Sequence, residues 1–394
     1  MTTQRKILIL VIMLFVFIVG ALFFVYQSFI KEGGVSASRD ITTEGNKGGG
    51  TLFPGSGLSS EEKNTNTRTE GPLSTLRQVS STPTAGGTVF NVDGNTIIRY
   101  VERATGHIFE TTDKSAEQNR ISNTTIPRVQ DSVWSQNGSM VILQYLDENE
   151  ILKSFYGNIL KDTGTLEGWF LSNNISSIDV NSEGSIFYIQ KVGNTASGII
   201  SNFDGTNAKS VFSSSINDWR PQWMGNLTTV TTNPSRDNLG FMYVLRSGTY
   251  EKIISFEGMN TLSSPDGSHV LFSISNSNET NLFIYSRDNK EFAEVPFRTL
   301  AEKCTWADNI VIFCGSPHNS SIDGIIPDDW YKGSVSFSDD VWTYNTETQT
   351  AQLVYDIGED GKQIDAVNLT IDHEKSTLLF MNKADLTLWA LSLK

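Results

Sequence analysis

The densest cluster of chemistry-bearing side chains lies in the segment GSPHNSSIDGIIPDDWYKGSVSF, from Gly315 to Phe337, and just beyond it. It carries His318, Asp323, Asp328, Asp329, Trp330 and Tyr331, followed closely by Asp340. Carboxylates beside aromatic rings can recognise a sugar, a cationic peptide or a metal ion. Two carboxylates about 5 to 9.5 Å apart can also act as acid and base in cleaving a glycosidic bond. The same residue types suit a structural flap, with Trp330 and Tyr331 plugging a channel mouth and the aspartates capping turns. Asp218-Trp219-Arg220-Pro221 and the acidic run Asp147 to Glu150 are expected on the same face. No serine-nucleophile elbow, zinc-helix motif, phosphate loop or dinucleotide fingerprint is present. Four histidines and two cysteines give no obvious metal cluster. The reading therefore names His318, Asp323, Asp328, Asp329, Trp330, Tyr331, Asp340, Trp219 and Arg220 as binding candidates, and assigns no catalytic residue, no metal and no cofactor.

These residues must be held by a β-rich frame. From residue 87 onward, short alternating or β-branched runs are separated by Asn, Asp, Gly and Ser turns, with no long amphipathic helix. A small polar turn followed at once by an apolar strand recurs around Gly94, Gly138, Gly184, Gly225, Gly267, Asp308 and Glu374. The intervals are 44, 46, 41, 42, 41 and 66 residues, the last containing an insertion of about 25. Such a period predicts an all-β, seven-bladed propeller whose four-stranded blades have their strands A and B joined by the recurring turn. The candidate segment is then a long B-to-C connection in blade 6, on the face shared with the D-to-A connections. The seventh copy offers strands A to C and then ends at Lys394, so Leu73 to Ser80 is expected to supply its outer strand and close the ring. Trp134, Trp223 and Trp306 recur at the end of strand A, as blade-to-blade packing would require. Asp179-Val-Asn181-Ser-Glu183-Gly184 has the alternation of a calcium loop, but Gln190 stands at its twelfth position, and it reads as another A-to-B turn. Cys304 and Cys314 flank a tight hairpin and are expected to form a disulfide in an exported domain.

The turn Ser264-Pro265-Asp266-Gly267, leading into the strand His269 to Ser275, resembles the TolB-like, WD-type propeller repeat. The resemblance implies the architecture of residues 87–394 and leaves the role open, since such propellers serve as docking platforms, envelope components and enzymes.

The uncharged run from Ile7 to Tyr26 would span about 30 Å as a helix, enough to cross a bilayer. Arg5 and Lys6 precede it, which places the N-terminus in the cytoplasm and the remainder of the chain outside. A cleaved signal peptide ending near Val35-Ser36-Ala37 is the rival reading. The expected organisation is a cytoplasmic N-terminus and transmembrane helix over 1–30, a flexible linker over 31–72 and the propeller over 73–394. With +2 before the span and a neutral linker, the chain's net charge of -14 leaves -16 for residues 87–394, which opposes nucleic-acid binding. The function expected is a single-pass protein of the cytoplasmic membrane that displays an extracytoplasmic binding or scaffolding propeller for a protein or an envelope glycan. The alternative is a hydrolase or lyase of envelope polysaccharide using Asp328, Asp329 or Asp340.

Overall fold

The computed structural model describes residues 75–246, 248–276, 279–318 and 324–394. The expected membrane span, the linker, Leu73, Ser74 and Asp323 lie outside the described residues. Among the described residues, no helix is long and apolar enough to cross a membrane.

The described chain forms seven antiparallel four-stranded sheets, six of them built from four strands consecutive in sequence. The seventh combines Ala366–Ile371, Thr377–Asn382 and Leu388–Ser392 with Leu76–Gln78, from the start of the described chain. Leu76 pairs with Leu391, Arg77 with Ala390 and Gln78 with Trp389. The expected ring closure is therefore present, and it gives the last hairpin a partner in place of an open edge. Each first strand touches its counterparts in the flanking blades, directly or through the short helical turn Ala301–Lys303, so seven first strands surround a central channel.

The recurring turn has a physical cause. Gly138 takes a φ of +64°, and a Cβ there would lie 2.2 Å from the Phe90 ring of the preceding blade. Neighbouring turns also meet back to back: a Cβ on Gly225 would fall 2.5 Å from the Asp266 carbonyl oxygen. At Gly138 and Gly225 glycine is required both by backbone sign and by the closeness of adjacent blades, whereas at Gly94 and Gly184 the positive φ alone favours it. Where the turn carries Asn181 or Asp266, its carboxamide or carboxylate accepts following backbone N–H groups, as in Ser185 N to Asn181 Oδ1 at 2.8 Å. The calcium-like segment forms one of these A-to-B turns.

Apolar layers fill the spaces between sheets. Trp134 and Trp306 are buried in two such layers, and Trp223 packs partly buried in a third. Cys304 and Cys314 stand opposite each other on the first two strands of blade 6, Cys304–Trp306 and Val311–Pro317, and are joined by a disulfide.

Candidate functional site

The blade 6 insertion leaves strand Val311–Pro317 at His318 and re-enters at Asp339–Asn345. Its one regular element among the described residues is a single helical turn, Asp328–Tyr331, preceded by a cis Ile326–Pro327 peptide. The turn carries Trp330 into a small apolar cluster with Leu300, Ile326 and Phe337, where it is 4% exposed. The indole lies nearly parallel to Phe337, at 5.9 Å between centroids, and donates from Nε1 to Asp365 Oδ2 at 2.8 Å. Lys383 places its ammonium 4.7 Å from the ring centre and donates to the Trp330 carbonyl at 2.7 Å.

Below the indole sits Lys303, wholly buried, its ammonium shared between Asp339 at 2.7 Å and Asp365. Asp339 also accepts from Ala366 N at 2.7 Å, while its other oxygen is buried without a partner. Desolvation pushes the Asp339 carboxyl up to about 6, with Lys303 pulling against it and Asp365 adding to the rise. One cation between two carboxylates locks the insertion onto the first strands of blades 6 and 7.

Tyr331 is directed toward the channel. Its hydroxyl donates to Glu302 and accepts from Asn260 Nδ2 at 3.0 Å. Arg220 lies 5.0 Å from the phenol ring and pairs with Glu302 at 3.0 Å. Burial and the Glu302 charge raise the phenol pKa far above its ordinary value, so it remains a donor. Arg220 and Glu302, two partners of Tyr331, line a channel cavity of about 640 Å³ whose other walls include Ser177, Asp179, Gln222 and Asn368. Desolvation raises Asp179 to about 6, opposed by backbone N–H groups, among them Trp223 N at 2.6 Å.

The candidate residues have distinct placements. Asp328 accepts from Ser235 Oγ at 2.9 Å and Arg236 N at 2.8 Å, fastening the insertion to a connection of blade 4. Asp329 accepts from Ile325 N at 2.8 Å, within the insertion itself, and that hydrogen bond holds its carboxyl below the ordinary range. Trp219 is 5% exposed and packs edge-on against Phe212 and Tyr243 between blades, so its ring is not on the rim. Trp330 is similarly internal, for the apolar cluster described above covers it. Asp340 is 5% exposed and accepts from Ile357 N at 3.1 Å and from the exposed His318 through Nδ1 at 2.7 Å. The hydrogen bond from His318 to Asp340, aided by the Asp340 charge, raises the imidazole above its ordinary value. Asp356 joins this pair, a position that sequence reasoning did not single out.

Sequence reasoning also passed over the opposite mouth of the channel. There a cavity of about 900 Å³ opens between the A-to-B turns, its walls including Phe90, Asn137, Glu183, Trp306, His373 and Glu374. Ser182, Pro265 and Trp306 line both cavities, so this mouth leads into the channel. The signal was present in the turns themselves, which converge on this mouth once the repeat is wound into a ring.

The sequence matches no protein-family model and no curated protein sequence. Solved structures share the architecture. An oligogalacturonate lyase in complex with manganese superposes with a TM-score of 0.52 at 8% identity, covering 81% of this chain and 93% of that one. The oligogalacturonate lyase of Vibrio parahaemolyticus gives 0.52 at 10% identity, over 80% and 93%. The β-propeller domain of the Trilobed protease from Pyrococcus furiosus gives 0.51 at 12% identity, over 79% and 98%. TolB from Acinetobacter baumannii gives 0.44 at 9% identity, over 66% and 63%. At these identities the likeness to the two lyases and the protease domain shows the propeller fold and nothing about chemistry.

Proposed function

We propose that this protein is a membrane-tethered, extracytoplasmic binding propeller that receives a cationic segment of a partner protein at the mouth formed by its A-to-B turns. The observation that carries the reading is the contrast between the two ends of the channel. At the insertion end, Trp330, Tyr331 and Asp328 are engaged by other parts of the same chain, and Asp329 by the insertion's own backbone. At the other end, the 900 Å³ mouth combines apolar walls from Phe90, Met140 and Trp306 with the exposed carboxylates of Glu183 and Glu374. That mixture suits the stem and head of a lysine or arginine side chain, whose methylenes pack while the charge meets acid. The excess of negative charge in residues 87–394 favours the same partner by steering. The engagement of Asp328 and Asp329 within the fold weighs against their use as the acid and base of a polysaccharide-cleaving enzyme.

Photo-crosslinking from single positions in the full-length chain, in its native membrane, tests this. A crosslinker at Gln136 or His373, both exposed on the mouth, is expected to trap a discrete partner that Glu183→Lys with Glu374→Lys abolishes. Capture only from Lys332 in the insertion, or capture indifferent to the charge reversal, would overturn the proposal.

A further inference from the structure

We infer that His318, Asp340 and Asp356 form a divalent-metal site at the edge of blade 6, fitted to a first-row transition ion such as Mn²⁺ or Zn²⁺. The three residues come from the ends of three adjacent strands: His318 follows Val311–Pro317, Asp340 lies at the start of Asp339–Asn345, and Asp356 follows Thr350–Tyr355. Sheet register fixes their proximity. Ser316 pairs with Asp340, Val341 pairs with Tyr355, and His318 N continues the ladder by donating to Ser338 O at 2.8 Å. One ligand atom from each residue lies within 4.8 Å of the others. The separation of His318 Nδ1 from Asp340 Oδ2, 2.7 Å, is close to the edge of about 3 Å between neighbouring ligands when bonds are about 2.1 Å long.

Two further observations mark this as a built site. The Asp340 side chain is 7% exposed, yet among the described residues neither it nor Asp356 is paired with a lysine or arginine. Its neighbour Asp339 has Lys303 for that purpose. The backbone also leaves room beside the donors: a Cβ on Gly358 would stand 3.2 Å from Asp356 Oδ1 and 3.9 Å from His318 Nδ1. One imidazole and two carboxylates compensate a dication, and the nitrogen ligand favours a transition ion over Mg²⁺ or Ca²⁺. The half-exposed His318 leaves the outer side of the site to water. An ion there would tie both roots of the insertion to the connection 356–365, which ends at the Asp365 that holds Trp330.

The test uses the full-length chain in detergent, stripped with chelator and titrated with Mn²⁺ alone, free ion being read by its electron paramagnetic resonance signal. One Mn²⁺ per chain is expected, displaced by stoichiometric Zn²⁺ but not by a hundredfold excess of Mg²⁺. Asp340→Asn and His318→Gln should each weaken binding at least tenfold. His318 is half exposed, so its variant keeps the fold and the comparison stays valid. Absence of binding by the native chain, or equal binding by His318→Gln and Asp356→Asn, would overturn the inference.

Discussion

Trp330 separates a structural role of the insertion from a ligand-stacking one, because the two make opposite predictions for stability. The ring is 4% exposed, rests on Phe337, bonds Asp365 through Nε1 at 2.8 Å and has the ammonium groups of Lys383 and Lys303 4.7 and 5.5 Å from its centre. Trp330→Ala removes a buried aromatic side chain and leaves a cavity, a change that costs about 3 to 5 kcal/mol. Within that total, the bond to a charged carboxylate accounts for about 1.5 to 3 kcal/mol. Trp330→Phe isolates this part, since it keeps most of the ring and leaves one Asp365 contact unmade. The expected order in urea unfolding of the full-length chain is native, then Trp330→Phe, then Trp330→Ala, with the last midpoint lowered by about a third or more for a fold of ordinary stability. A ring offered to a ligand would behave differently: its removal would leave the midpoint unchanged and abolish binding. A Trp330→Ala chain within about 0.5 kcal/mol of native would refute the argument from packing.

Three other consequences are open to measurement. Asp179 has its folded pKa raised from 3.8 to about 6, so the native state holds its proton longer than the unfolded chain, and its contribution is lost as pH rises from about 4 to 6. The ceiling is about 3 kcal/mol, reduced to about 1 because the group faces an open channel; Asp179→Asn should therefore raise the urea midpoint at pH 7.5 relative to native while matching it near pH 3.5, and equal midpoints at both values would sink the reasoning. Leu76 is 3% exposed in the layer shared with Leu378 and Leu391, so Leu76→Ala should cost about 2 to 4 kcal/mol, whereas a neutral result would mean that the closing strand contributes no packing. Reduction of Cys304–Cys314 opens a loop of ten residues and should cost somewhat under 3 kcal/mol on loop entropy; alkylation before reduction would show the thiols free.

The frame was legible because its determinants are local and repeated. Five of the seven turns put a glycine at positive φ, at Gly94, Gly138, Gly184, Gly225 and Gly267, and the small polar turns at Asp308 and Glu374 complete a count of seven blades. Ring closure could be inferred because an unpartnered hairpin needs an outer strand, and Leu76–Gln78 supplied it. The state of the insertion was not legible in the same way. Asp and Trp have the same letters whether they face a ligand or a buried lysine, and Lys303 lies 27 positions before Trp330 with no motif linking them. The grouping of His318, Asp340 and Asp356 escaped notice for a related reason: each is unremarkable alone, and only strand register makes them neighbours.

That difference bears on how an acidic propeller uses its charge. Near the insertion, carboxylates are matched inside the fold: Asp339 and Asp365 by Lys303, Glu302 by Arg220. The hydrogen bonds of Asp328 and Asp329 serve the same closure. Such pairs are costly to desolvate and return little net stability, so their value is in fixing one conformation of a long connection that could otherwise adopt many. Charge consumed in this way is unavailable to a partner. Glu183 and Glu374, at the opposite mouth, remain exposed beside an apolar cavity, and the Glu374 carboxylate pairs with the exposed Lys394 at 3.6 Å, a contact that solvent screens. Among the described residues, Asp340 and Asp356 have no lysine or arginine partner at the rim of blade 6. An unspent carboxylate next to a shaped space is therefore a better guide to function in this molecule than a high local density of carboxylates, and it directs attention away from the insertion's centre to its root and to the far end of the channel.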